Sequence, residues 1–293
     1  MRLIKYTGGK LIMAKFIIRV CVYLVVSVFV AGGLAKGVFA GLIIEQVSYE
    51  KGSSQKEKET LYVSKNRVKS VREGGHEVTI FDLNTGEMIL TNNEKKTYVI
   101  AKPEELFQSA QDAMAKARAQ MEEQMSKLPP EQRAKIEEMM KSHGMKQPGA
   151  SKPENLTLKA TGATEEIAGY KSQKFEIYKN GKLDREVWTS KDVIPSSELD
   201  PKRMADYMKE MQQMAAKFNP GKEDINSDLN EETRIFNQVF ETGFPMRSVD
   251  HSSDNSAYIE EVVSVTKNDI PDREFQPPIG FKKITLQQMM SGE

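Results

Sequence analysis

The pair Asn180-Gly181 constrains this chain more than any other two residues. It stands between two runs rich in aromatic and β-branched residues, within IAGYKSQKFEIYKNGKLDREVWTS at 167–190. Both residues tolerate a left-handed backbone, as the central positions of a type I′ turn require, and that turn matches the twist of paired strands. The stretch therefore reads as a β-hairpin with a two-residue loop. The pairing that follows sets Lys179 opposite Lys182, Tyr178 opposite Leu183 and Glu176 opposite Arg185, the last an opposite-charge cross-strand pair. By parity it sets Phe175, Ile177 and Trp188 on one face. Asp184 and Glu186 share that face, so pattern alone leaves the buried side open.

The first forty residues are unlike the rest. They hold Arg2, Lys5, Lys10, Lys15, Arg19 and Lys36, no acidic residue, and an apolar run at 16–34 broken by Arg19 and Ser27. Small residues and Val38-Phe39-Ala40 follow. This pattern predicts a secretory signal peptide over 1–40, cleaved after Ala40. Met13 offers a second start and a shorter leader. The competing reading is an uncleaved anchor, because about 18 apolar residues can span a bilayer. The only cysteine, Cys21, lies inside the apolar run without a small residue before it, which argues against a lipid anchor.

Without the leader the chain has 253 residues, 36 basic and 42 acidic, a net charge of −6, and no cysteine. An exported chain of this kind must be held by an ordinary core, and its length suffices for one. Mild acidity without a basic block argues against a nucleic-acid partner.

Residues 41–50 read as a strand, 51–60 as a charged loop, and 61–72 as one further strand. Residues 76–82, 87–91 and 96–101 read as strands separated by Asn84-Thr85-Gly86 and Asn92-Asn93. This is an antiparallel meander. The character then changes. Pro103, Glu104 and Glu105 open a helix rich in Ala, Gln, Lys and Met, broken by Pro129-Pro130. A second helix at 131–143 follows, so 103–147 reads as an inserted helical hairpin. Strands resume at 156–160. A third helix at 201–218 carries Met204, Tyr207, Met208, Met211 and Met214 on one side. Residues 222–230 look loose, 231–241 a short helix, 245–250 and 257–267 a last strand pair. The tail at 270–284, with three prolines, fits an extended edge. Residues 285–293 fit a frayed turn.

Taken together, IAGYKSQKFEIYKNGKLDREVWTSKD, EKKTYVIA and the tail GFPMRSVD…VVSVTKNDIPDREFQPPIGFKKI are similar to a family of bacterial exported proteins described only as a domain of unknown function. That family resembles the periplasmic outer-membrane lipoprotein carriers of the LolA and LolB kind. The resemblance implies an α+β fold over 41–293: a curved antiparallel sheet, or half-barrel, with helices covering its concave face. Members of the wider fold hold acyl chains in that space. The Met-rich insert at 103–145 departs from the carriers, and no catalytic motif comes across with the resemblance.

The residues themselves point away from catalysis. His76, His143 and His251 lie in different segments without metal-ligand spacing. No Gly-x-Ser-x-Gly, P-loop or Gly-x-Gly-x-x-Gly occurs. The expectation is a non-enzymatic periplasmic protein without a cofactor, binding a lipid or lipidated polypeptide. Its candidate ligand contacts are Phe175, Ile177, Trp188, Met204, Tyr207, Met208 and Met211. Ten of the sixteen methionines fall in the insert or at 201–218. Three readings of them stand: gap-filling core, an adaptable lid over acyl chains, or thioethers for Cu(I) at Met204, Met208, Met211 and Met214. The rival function is an envelope interaction or sensor module that docks a partner protein through these helices.

Overall fold

A computed structural model describes residues 41–74, 77–127, 155–194, 198–200, 202–204, 206–207, 210, 223–251 and 256–291. The expected leader at 1–40, His76, the second arm of the helical hairpin, the linker before 155 and most of 201–218 lie outside these residues.

The elements run β1 (Gly41–Glu50), β2 (Glu57–Ser64), β3 (Arg67–Arg72), β4 (Val78–Asp82), β5 (Glu87–Asn92), β6 (Thr97–Ala101) and α1 (Pro103–Ser126). After α1 come β7 (Leu156–Ile167), β8 (Tyr170–Lys179), β9 (Lys182–Ser190), α2 (Glu223–Thr242), β10 (Phe244–Asp250) and β11 (Tyr258–Asn268). A 3-10 turn (Asp272–Phe275), β12 (Lys282–Lys283) and α3 (Leu286–Ser291) complete the chain. All twelve strands belong to one sheet, in the order β12-β6-β5-β4-β3-β2-β1-β11-β10-β9-β8-β7. Two meanders, β1–β6 and β7–β11, meet where β11 returns to pair with β1. Every pairing is antiparallel except β12 with β6. The tail thus ends on the sheet's rim, as an extended edge.

The hairpin at Asn180-Gly181 forms with φ of 52° and 84°. Lys179 faces Lys182 and Tyr178 faces Leu183, as expected. The expected pairing of Glu176 with Arg185 does not form. Asp184 is an extra residue, so Ile177 faces Arg185 and Glu176 faces Glu186. At this bulge the Asp184 carbonyl accepts a hydrogen bond from the His251 N–H at 2.8 Å, at the end of the neighbouring strand β10. The slip by one changes the faces. Phe175 now faces Val187, while Trp188 faces Lys174 on the opposite side.

Three further expectations need correction. Residues 61–72 are two strands, because Lys65 and Asn66 form a turn with φ of 51° and 64°. Residues 223–230 are the first half of α2, which contains neither Gly nor Pro to break it. Residues 286–291 form a capped helix. The Thr285 hydroxyl accepts from the Gln288 N–H at 3.2 Å while the Gln288 amide oxygen accepts from the Thr285 N–H at 3.0 Å. That is a reciprocal capping box. Pro103 opens α1 as expected, and Glu105 accepts the Lys102 N–H at 2.9 Å.

Candidate functional site

Alternation along the first meander builds one continuous apolar stripe. Leu42 faces Val63, Val63 faces Val68, Val68 faces Phe81, Phe81 faces Met88, and Met88 faces Ala101. Paired residues of neighbouring strands share a face, so six strands present this row together. All six residues are buried and belong to the main core cluster.

Residues from two separate connecting segments join the stripe in this cluster. Leu106 of α1 belongs to the segment between β6 and β7. Val193, Leu199, Met204 and Tyr207 belong to the segment between β9 and α2. All five are buried in the same cluster. The Tyr207 and Phe81 rings meet at 4.5 Å with a 54° tilt, a contact worth roughly 0.5–1.5 kcal/mol beyond its buried area. Phe107, Leu286 and Met289 pack against the cluster from its margin.

The second insertion is tied to the sheet by turn residues. Asn66 donates its N–H to the Glu198 carbonyl at 2.7 Å, and its side-chain oxygen accepts the Asp200 N–H. Its amide nitrogen donates to Asn84 at 3.1 Å. Asp200 then caps the helical residues that follow, accepting the Lys202 N–H at 2.9 Å. Glu198 is buried at 4% exposure and accepts the Lys65 N–H at 3.3 Å. Burial holds its carboxyl above the ordinary carboxylate range, against hydrogen bonds from Lys65 and Ser64 that pull it down.

The residues expected to contact ligand do not gather in one place. Met204 and Tyr207 lie in the main cluster over Phe81. Ile177 lies in a smaller core, with Leu156 and Val187, beneath Ile235 and Val239 of α2. Phe175 is buried on the same hairpin face as Ile177, and Trp188 is partly buried on the other, packed against the margin of the main cluster. Met208, Met211 and Met214 lie outside the described residues. Of the four methionines considered for Cu(I), Met204 is described, and its side chain is 3% exposed in apolar core. Sequence reading missed Leu42, Phe81 and Leu199. The period-2 pattern of β1 and β4 carried the signal for the first two.

Trp188 sits instead in a charged row. Lys174 faces Trp188, Trp188 faces Arg247, and Arg247 faces Glu261. The Lys174 ammonium is 5.2 Å and the Arg247 guanidinium 5.3 Å from the indole ring. Both cations are paired. Arg247 binds Glu261 and, at 2.7 Å, Glu165; Lys174 binds Glu186 and, at 3.4 Å, Glu176. His251 adds a contact to Glu186 at 3.2 Å. Partial burial pushes the Glu186 carboxyl up, but hydrogen bonds from Lys174 and His251 outweigh it and hold it below its ordinary value. The hydrogen bond to Glu186 raises Lys174. This network of ion pairs braces five strands, β7 to β11.

A recess between β1, β2, β3 and β11 is lined by Gln46, Val47, Glu59, Arg72, Tyr258 and Glu260 among others. None of the expected site residues lines it. Among the described residues, no three His, Cys, Asp or Glu side chains are grouped to hold a metal. No helix among them is long and apolar enough to cross a membrane.

No curated protein matches the chain. Among solved structures, the complex of MucB with the periplasmic part of MucA matches with a TM-score of 0.36 and 7% identity, over 84% of this chain and 57% of that one. The Pseudomonas aeruginosa MucA/MucB complex matches with a TM-score of 0.36 and 8% identity, over 84% and 58%. A LolA superfamily protein from Nitrosomonas europaea matches with a TM-score of 0.26 and 7% identity, over 82% and 91%. The chain spans less than two thirds of the MucB chains, and at these scores the likeness carries no inference about ligand or partner. The family model described as Domain of unknown function (DUF4412) matches residues 111–281, more than half of the chain, and the protein belongs to that family.

Proposed function

We propose that this is a non-enzymatic, exported binding protein that holds an apolar ligand, a lipid or the acyl chain of a lipidated polypeptide, against the apolar stripe of its sheet. The observation that carries the proposal is the origin of the cover. Leu106 and the Val193–Leu199–Met204–Tyr207 group come from two insertions, yet they close over one row of six sheet residues. A cover built from insertions can lift without unpairing a strand. Methionine suits it, because an unbranched thioether refills an irregular space when a ligand leaves. In this reading the sheet of 41–293 is a half-barrel, the helices lie on its concave face, and Met204 and Tyr207 line the ligand. Phe175, Ile177 and Trp188 serve the scaffold.

The test is native mass spectrometry and lipid extraction of protein purified from its own cell envelope, followed by titration of the delipidated protein with a fluorescent fatty acid. The expected result is bound lipid in the first measurement. In the second, Tyr207→Asp weakens binding at least roughly tenfold, since it puts a charge against the acyl chain. Empty protein together with no uptake of the fatty acid would overturn the proposal.

A further inference from the structure

A second feature, at the rim of the sheet, is independent of the ligand stripe. Ile279 is fully exposed, at 103%. A lone exposed isoleucine is ordinary. This one is held out by a rigid turn. The Phe281 N–H donates to the Pro278 carbonyl at 3.2 Å, and Gly280 has φ of 81°, the pattern of a type II turn with Ile279 at its first central position. Only a residue free of a Cβ takes the second position without strain. Pro277 and Pro278 stiffen the approach.

Basic residues stand beside that tip. Lys282 and Lys283 form β12, and both are exposed. The Lys282 N–H donates to the carbonyl of Lys96 at 2.8 Å, which brings the exposed Lys96 alongside. Among the described residues none of these three lysines has a carboxylate partner. In the same turn Glu94 and Lys95, both exposed, offset one another. A local excess of three positive charges thus surrounds an apolar tip, in a chain whose residues 41–293 carry a net −6.

We propose that this rim is a membrane-contact site: Ile279 enters the headgroup region of an anionic bilayer, and Lys96, Lys282 and Lys283 bind its phosphates. An apolar wedge ringed by unpaired cations fits that surface, because burial of the side chain and attraction to anionic lipid add. Neither alone gives stable attachment, so binding is reversible.

The experiment is flotation of the purified protein with vesicles of phosphatidylcholine alone, and of phosphatidylcholine mixed with phosphatidylglycerol. The expected result is flotation with the anionic vesicles only, weakened by added salt. Ile279→Asp lowers the partition at least roughly tenfold, the value of one isoleucine withdrawn from an apolar environment. Changing Lys96, Lys282 and Lys283 together to Glu abolishes it, since each lysine contributes roughly fivefold. These side chains face solvent, and circular dichroism verifies that both variants fold. Absence of flotation, equal flotation with the two vesicle types, or wild-type partition of both variants would overturn the proposal.

Discussion

Asn66→Ala is the most informative single change, because one side chain joins the sheet to the cover of the candidate site. The cost has two parts. Asn66 sits at φ 64°, where an alanine is disfavoured by roughly 1–2 kcal/mol and asparagine is tolerated. Its side chain also makes two hydrogen bonds, one accepting from the Asp200 N–H and one donating to Asn84. Each is worth roughly 0.5–1.5 kcal/mol. The sum is about 2–5 kcal/mol. Asn66→Gly separates the parts: it keeps the backbone relaxed and loses only the hydrogen bonds, so it should cost about 1–3 kcal/mol. Urea unfolding followed through Trp188, the only tryptophan, gives both values. Hydrogen exchange adds location, since the N–H groups of 202–207 should lose protection before those of β1 and β2. Asn66→Ala within about 0.5 kcal/mol of the wild type, the range of an inert surface change, would refute the reasoning.

Other outcomes follow from single groups. Gly243 has φ of 142°, and a Cβ there would lie 2.6 Å from the Ser190 carbonyl carbon and oxygen; Gly243→Ala should therefore destabilise by more than about 2 kcal/mol in the same urea assay. Glu186 is held below its ordinary value of 4.5, so its stabilisation is present above that value and is lost as pH falls through the lower folded value. Glu186→Gln should be less stable than the wild type at neutral pH, and the gap should close in acid. Glu198 has the opposite sign: its carboxyl is raised by burial, so its ionisation opposes folding as pH rises above 4.5. Glu198→Gln should therefore improve its standing relative to the wild type as pH rises from 4 towards neutrality, about pH 7, in thermal melts across that range. Thr285→Ala removes the cap of α3 and should cost roughly 1 kcal/mol, with fraying confined to 286–291 in hydrogen exchange.

What the sequence showed and hid follows a physical division. Turns that use glycine announce themselves, as at Asn180-Gly181 and Gly86. The Lys65-Asn66 turn does not, because its left-handed residues carry side chains, and its stability comes from Glu198 and Asp200, more than 130 positions away. The same holds for the bulge at Asp184, whose carbonyl is bonded by the N–H of His251, far along the chain at the end of β10. A one-residue bulge inverts every inference drawn by parity beyond it, and so Trp188 moved to the face opposite Phe175 and Ile177. The capping box at Thr285 and Gln288 was local and legible, and the reading of a frayed tail overlooked it. The Met204 and Tyr207 contacts were legible as a pattern, since 3.6-residue spacing marks an apolar side whatever lies against it. What they lie against was not, because the stripe from Leu42 to Ala101 is assembled by register across six strands, and register depends on just those turns and bulges that distant residues fix. If the cover opens for a ligand, the part of the molecule that decides it is therefore the Asn66–Glu198–Asp200 junction rather than the methionines themselves. Asn66→Ala should then speed fatty-acid entry while leaving Tyr207 and Phe81 in place, and an unchanged entry rate in a folded variant would assign the gate to α1 instead.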